Sequence, residues 1–558
     1  MATPGDLVFA PLGGVGEIGM NLSIYGLGDE RRRSWLIVDV GVSFANEENL
    51  PGIDLILPDI RFLVAERRNL AGIVLTHAHE DHFGALLDLW PKLRVPVYAT
   101  PFTAALLAAK RLGEPGAPDI PVTQVALGSR FEVGPFDIEL VSVAHSIPES
   151  NALIIRTPHG AVLHTGDWKL DPTPVLGPPT DEAKLRALGE EGCIALIGDS
   201  TNAVREGRSP SESDVAKTLA ELIMSAPGRV AVTTFASNVA RLKAVAAAAH
   251  RAGREVVIIG RAIHRSVDVA RELGYLDGFP EFLDQDAYAS LPRNKVVALL
   301  TGSQGEPRAA LARIASADHR YVTLSPGDRV IFSSRTIPGN ERAVNTIINA
   351  LVDFGAEVIT DRQGLVHTSG HPRRDEIRQL YDWIKPRIVI PVHGEALHLH
   401  EQAKLARAAG IPQVIEARNG RMIRLAPGPA EALDTVAHGK LYRDGRLLVA
   451  HEASGVVERR RLSFAGIVSI AIVLSDSGDV LEDPLVMLVG LPEGATGGEP
   501  FRKIVESAVD DALDALPKPK RRDAGLVQEA VRRAVRAEID MAWGKKPATI
   551  VHVVHVSD

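Results

Sequence analysis

The stretch "LTHAHEDHFG", residues 75–84, constrains the fold more than any other part of the chain. It places His77, His79, Asp81 and His82 within six residues, directly behind the apolar run "GIVL". So many ionisable groups at the end of a buried strand are costly to desolvate unless a ligand uses them. Imidazole and carboxylate together suit zinc. A segment that runs extended and then turns helical points its side chains in two directions. His77 and His79 then face one metal, and Asp81 and His82 a second.

Residues 1–205 are strand-rich, with runs such as "WLIVDVG", "FDIELVSV", "ALIIRT", "AVLHTGD" and "IALIGDS" between turns, as in stacked sheets with flanking helices. From 206 to 362 strand and helix alternate, which predicts parallel βαβ units. Ligands of such open sheets bind at the carboxyl ends of the strands, here the loops "FASN", "GRAIHR", "TGSQGEP" and "SSRTIPGNE". Strand and loop texture returns over 363–427, and "PGPAEALDTVAHG" begins a linker over 428–455. Residues 456–558 read as a small α+β domain whose apolar strand "GIVSIAIVLS" is a core strand. The fold class is α/β.

The 558 residues exceed one compact core. A 45% hydrophobic and 24% charged composition is that of an ordinary globular protein. No apolar run approaches the ~20 residues of a membrane span, and the N-terminus lacks the pattern of a secretory signal. Cys193, the single cysteine, excludes a disulfide framework and fits a reducing cytoplasm. A net charge of −8 argues against nucleic-acid binding by bulk charge, though not against a local cationic site.

"HAHEDH" matches the H-x-H-x-D-H motif of the metallo-β-lactamase superfamily. In order along the chain, Asp39 in "IVDVG", His145 in "VSVAHSIPES" and Asp167 in "LHTGDWK" resemble that superfamily's other motifs. The block after residue 205 resembles the insertion of the β-CASP branch, with Asp199 in "GDSTNA", His371 in "HTSGHPRRDE" and His393 in "IPVHGE" as its three further motifs. With "GGVGEIGMN", "TGSQGE", "IPGNE" and a tail of about a hundred residues, the whole chain resembles the bacterial ribonuclease J family.

The resemblance implies an αββα metallo-β-lactamase sandwich, interrupted by the inserted domain and followed by a C-terminal domain associated with self-association. It implies two zinc ions per subunit, or another divalent cation, on His77, His79, Asp81, His82, His145, Asp167 and His393. Asp39 would orient a ligand histidine. The roughly four positive charges of two zinc ions exceed those of Asp81 and Asp167, so a phosphodiester is attracted despite the overall charge. His371, oriented by Asp199, is assigned to protonate the leaving oxygen, with Asp81 as a further catalytic residue. Ser369 and Gly370 would offer a hydroxyl and backbone N–H groups to the phosphate.

The implied activity is 5′-to-3′ degradation of 5′-monophosphorylated single-stranded RNA, with endonuclease capacity, in RNA decay and processing. Ser237, Asn238, Arg261 and Ser303 are assigned to a pocket for the terminal phosphate. Implied partners are a second or fourth copy of the chain and an RNA-degradation assembly, with no membrane. The alternatives are a small-molecule metallohydrolase and a non-catalytic RNA-binding subunit.

His367 is read as structural, and His398, His400 and the pair Arg373–Arg374 as solvated faces. "GGVGEIG", residues 13–19, matches the G-x-G-x-x-G dinucleotide fingerprint, but alternating "MNLSIYG" follows it where a helix is required. The glycines are therefore expected to join two strands at the rim of the metal site.

Overall fold

The computed structural model describes residues 5–45, 49–337, 339–495 and 498–557. Residues 1–44 and 55–441 form one compact unit, and 45–54 with 442–558 a second.

Two sheets stack in the first unit. Among the described residues, one has eight strands in the order 431–435, 421–426, 6–13, 22–28, 34–38, 70–74, 97–99 and 122–124. The other has seven: 413–414, 388–392, 193–199, 160–164, 151–157, 136–142 and 130–133. Their facing side chains form one core in which Phe9, Tyr25, Leu36 and Val74 meet Ile138, Ile155, Val162, Ile197 and Ile390. The outer face of the second sheet packs under helices Glu182–Glu191, Arg374–Ile384 and Ala396–Ala408 through Leu188, Leu380, Trp383 and Leu405. Strands covered on both faces read as unbroken apolar runs, and Cys193–Asp199 is buried along its whole length.

The chain leaves this sandwich after Cys193–Asp199 and returns through Ile388–Val392, which pairs with it in parallel. Between them, six parallel strands lie in the order Leu283–Asp284, Glu255–Ile259, Val296–Leu300, Val230–Thr233, Arg329–Phe332 and Glu357–Ile359. Arg241 is fully buried in this insertion. Its guanidinium pairs with Glu212 at 2.9 Å and donates to the carbonyls of Ser333 and Val366 at 2.9 and 3.0 Å.

In the second unit, Ile467–Ser475 pairs with Leu485–Val489 and Ala548–Val556. Val468, Ile470, Ile472 and Leu474 alternate onto Val505 and Val509 of helix Phe501–Ala515 and Val527, Val531 and Val535 of helix Ala524–Trp543. The four-residue spacing of these valines keeps them on one helix face.

The stretch 428–455, in which the chain passes from the first unit to the second, is built of strands rather than irregular chain. Glu431–Thr435 extends the eight-stranded sheet, antiparallel to Arg421–Ala426, and Lys440–Asp444 and Leu447–Ala450 are neighbouring strands. Glu431–Thr435 is short, polar and largely exposed at a sheet edge, where natural strands avoid apolar residues, so its sequence carries no strand signal. Among the described residues no helix is long and apolar enough to cross a membrane.

Candidate metal centre

Nine of the residues singled out in the sequence bring their ligand atoms to one end of the sandwich. His77, His79, His145 and Asp167 form one set, Asp81, His82, Asp167 and His393 a second, and Asp167, Asp199, His371 and His393 a third, the atoms of each lying within 4.8 Å of one another. Asp167 belongs to all three.

Backbone and side-chain bonds fix which nitrogen each histidine presents. Asp39 ends strand Ser34–Val38 with φ of 63° and is buried. Its carboxylate accepts from the Thr76 backbone N–H and hydroxyl, both at 2.8 Å, and lies 2.7 Å from His82 Nδ1. His82 Nδ1 therefore carries a proton toward Asp39, and Nε2 is the nitrogen that faces Asp81 and Asp167 at 3.7 and 3.3 Å. The Thr76 hydroxyl, already donating to Asp39, accepts from His77 Nδ1 at 3.0 Å. His145 Nδ1 donates to the Gly370 carbonyl at 2.7 Å. These hydrogen-bonded partners orient the ligands as second groups around metals commonly do.

Bare Nε2 atoms of His77 and His145 thus point at His79 Nδ1 from 3.1 and 3.0 Å. One ring proton cannot satisfy both contacts, whereas a cation between the three nitrogens would. Asp167 Oδ1 is buried without a hydrogen-bond partner among the described residues. Burial pushes His79 down to about 4 and holds His77 and His145 well below the usual imidazole range, which keeps them neutral. Burial alone would raise the carboxyls of Asp81, Asp167 and Asp199, but the surrounding imidazoles outweigh it and hold all three low. Burial also opposes charge on His393, yet Asp167, Asp199 and Asp81 draw it up to about 10. The site holds surplus negative charge that attracts cations. Its nitrogen and oxygen donors fit a borderline divalent metal such as zinc.

Beside the first two sets stand Asp199 and His371. Asp199 is fully buried, and its Oδ2 lies 2.7 Å from His371 Nδ1. The His371 ring is 5.3 Å from that of His145 and 5.4 Å from that of His393. Burial disfavours its charge, but Asp199 and Asp167 overcome this and raise it above the usual imidazole range. Ser369 accepts from Asn202 Nδ2 at 2.9 Å and from the His371 backbone N–H at 3.3 Å.

The glycine-rich loop joins two antiparallel strands, Asp6–Gly13 and Leu22–Gly28, and no helix follows it. The Gly16 N–H donates to the Gly394 carbonyl, next to His393, at 2.9 Å. At its end Asn21 donates to the ligand segment: its backbone N–H and side-chain amide both reach the Asp81 carbonyl. A Cβ at Gly41 would lie 1.7 Å from that same carbonyl, so only glycine allows the close approach.

The terminal-phosphate residues are not gathered in the same way. Asn238 is buried and caps helix Val239–Arg251, accepting from the Arg241 N–H at 2.9 Å. Ser237 is half-buried and Ser303 buried. Arg261 lines a cavity whose walls include none of these three; it follows Glu255–Ile259, a strand separated by Val296–Leu300 from Val230–Thr233, the strand before Ser237 and Asn238.

Thr76, Asn21, Thr201, Asn202 and Arg241 were missed in the sequence, and isolated hydroxyls and amides give no signal there. Thr201 Oγ1 lies 2.8 Å from His393 Nδ1. Glu149, at φ of 58° four residues after His145, accepts from the Tyr275 hydroxyl at 2.6 Å and the Phe102 N–H at 2.7 Å. It ties the His145 loop to the inserted domain. Among the expected solvated groups, Arg374 pairs with Glu206 and Glu401, each at 3.0 Å.

Comparison with known proteins follows the same divisions. Residues 35–185 match the Beta-lactamase superfamily domain and 227–351 the Ribonuclease J, beta-CASP domain. Residues 355–416 match the Zn-dependent metallo-hydrolase RNA specificity domain and 455–556 the Ribonuclease J C-terminal domain. Ribonuclease J of Sinorhizobium meliloti is 55% identical over 556 residues, covering 100% of this chain and 98% of that protein. Ribonuclease J of Mycolicibacterium smegmatis is 39% identical over 99% of this chain and 98% of its own length. A solved structure of a protein of unknown function from Enterococcus faecalis V583 shares the fold, with a TM-score of 0.53 at 16% identity, covering 75% of this chain and 100% of that one. With its ligand-bearing sandwich, its inserted parallel sheet and relatives matched along their whole length, the chain belongs to the ribonuclease J family of metal-dependent hydrolases acting on RNA.

Proposed function

We propose that this chain is a two-zinc ribonuclease that degrades 5′-monophosphorylated single-stranded RNA from its 5′ end, with endonuclease capacity, in the cytoplasm. The observation that carries the proposal is the pair of ligand sets sharing Asp167, with the Asp199–His371 pair beside both. His77, His79, His145 and Asp167 would hold one ion, and Asp81, His82, Asp167 and His393 the other. Bound there, zinc supplies Lewis acidity toward the phosphodiester and lowers the pKa of water at the site.

The chain's own groups do the rest. Asp39, Thr76 and the Gly370 carbonyl hold His82, His77 and His145 in the tautomers that present Nε2 inward. Asp199 accepts the hydrogen bond from His371 Nδ1–H, which leaves the Nε2–H to deliver a proton to the departing oxygen. The raised His371 supplies that proton near neutral pH, and its 19% exposed side chain is reachable by substrate. Ser369, held by Asn202, and the Gly370–His371 backbone are assigned to the phosphate. Ser237, Asn238 and Ser303 remain assigned to the terminal phosphate. In solution we expect a homodimer or homotetramer, with a role for residues 456–558 in self-association.

His77→Ala and Asp81→Ala should abolish RNA hydrolysis with little change in circular dichroism, and metal analysis of the wild type should return two zinc ions per chain. Monophosphorylated RNA should be consumed faster than triphosphorylated RNA. Full activity in either variant would refute the metal assignment, and equal rates on the two ends would refute the terminal pocket.

A further inference from the structure

A cavity of about 540 Å³ opens at the carboxyl ends of Glu255–Ile259 and Val296–Leu300 in the inserted sheet. From the first of these strands the chain moves outward to Leu283–Asp284. From the second it crosses the other way, past Val230–Thr233, to Arg329–Phe332. Right-handed crossovers in opposite directions place the following helices on opposite faces, so the two loops diverge. That is the topological switch point at which open α/β sheets bind mononucleotides. The volume is in the range of small-molecule sites.

The walls are cationic. Arg261, Arg265, Arg308 and Arg313 all line the cavity, with Gln285. Arg313 donates to the Asp318 carbonyl at 3.0 Å and lies 3.8 Å from its carboxylate. The other three guanidiniums have no hydrogen bond or ion pair to any described residue. Helix Arg261–Glu272 also starts at the cavity wall, at Gly260, with no side chain capping its first N–H groups. Three unpaired guanidiniums beside an uncapped helix start attract an anion of several charges. Every wall residue lies between 259 and 319, and none comes from a segment carrying a metal ligand, Asp199 or His371.

We propose that this cavity binds a free nucleoside polyphosphate, with its phosphates on Arg261, Arg265 and Arg308. A phosphate at the 5′ end of RNA has the same chemistry, so the test must separate the two sources.

Calorimetric titration of the zinc-loaded full chain with ATP should give one site per chain. AMP should bind at least ten-fold more weakly, and ATP affinity should fall as salt is raised. Arg265→Ala and Arg308→Ala should each weaken ATP at least ten-fold with an unchanged thermal transition. His77→Ala should leave ATP binding intact, which separates the cavity from the metals. The rate ratio between monophosphorylated and triphosphorylated RNA should be unaltered in both arginine variants. No ATP binding by the wild type, ATP binding unchanged in both arginine variants, or its loss in His77→Ala would overturn the proposal. So would loss of end discrimination in the arginine variants, which would assign the cavity to the RNA terminus.

Discussion

Replacing Gly370 by alanine tests the geometry of the metal centre through a single methyl group. The new Cβ would sit 2.4 Å from His145 Nδ1, 2.5 Å from its Cε1 and 2.9 Å from Ser146 Oγ. Carbon contacts normally begin at roughly 3.5 Å, so ring or backbone must move by about 1 Å. The His145 ring has little room to yield, lying between the rings of His79 at 4.8 Å and His371 at 5.3 Å. Any shift stretches the 2.7 Å bond from Nδ1 to the Gly370 carbonyl and turns Nε2 away from His77 and His79. Loss of such a supporting bond costs about 10–100-fold in metal affinity, and a misplacement of about 1 Å on the order of 100-fold in rate. Gly370 does not occupy the left-handed region, so the backbone itself accepts alanine. Gly364→Ala is the matched control, since its Cβ would meet nothing closer than 3.7 Å. Metal content after dialysis against a weak chelator, and RNA hydrolysis with and without added zinc, read the result. We expect Gly370→Ala to lose about one zinc per chain and to recover partly with excess metal, while Gly364→Ala behaves as wild type. A Gly370→Ala protein with full zinc and full rate would refute the reasoning.

Asp39→Asn keeps a residue that tolerates positive φ but cannot accept on both atoms, from the Thr76 N–H on one and from the Thr76 hydroxyl and His82 Nδ1 on the other. Zinc affinity should fall about 10–100-fold in competition with a chelator, and unchanged affinity would show that Asp39 does not orient His82. Arg241→Ala leaves the Glu212 carboxylate buried and unpaired, at a cost of about 3–5 kcal/mol in denaturant unfolding. A loss below about 1 kcal/mol would exclude that pairing. Burial pushes the Cys193 thiol up to about 12, so a thiol reagent at pH 8 should label nothing in the folded chain and one site after denaturation. Rapid labelling of the native protein would contradict its place in the strand.

The ligand set was legible because metal chemistry admits few residue types and the motifs recur at strand ends in chain order. His77, His79, Asp81 and His82 needed only local spacing. The supports around them were not legible, because Thr76, Asn202 and Arg241 act through contacts made only in the folded chain. Arg241 reaches Val366 across 125 positions. The parallel insertion announced itself through buried strands alternating with helices, whereas the edge strand Glu431–Thr435 has a loop's composition. Arg261 was grouped with Ser237, Asn238 and Ser303 because all follow strands of one sheet. Strand order, which separates Arg261 from Ser237 and Asn238, is not written in local sequence.

The insertion also sets a timetable for synthesis. The first ligand set is complete once Asp167 has left the ribosome, but the second waits for His393, and Asp81 and His393 are 312 residues apart. At 5–20 residues per second that interval is roughly 15–60 s. Throughout it Asp6–Gly13 lacks one of its neighbours, because that neighbour is Arg421–Ala426. A strand edge left open for that long invites pairing with other chains. The inserted sheet pairs only within itself, so it can fold during the wait. Assembly of the centre is then staged in the growing chain: one set of candidate ligands can gather early, and the other only as the sandwich closes.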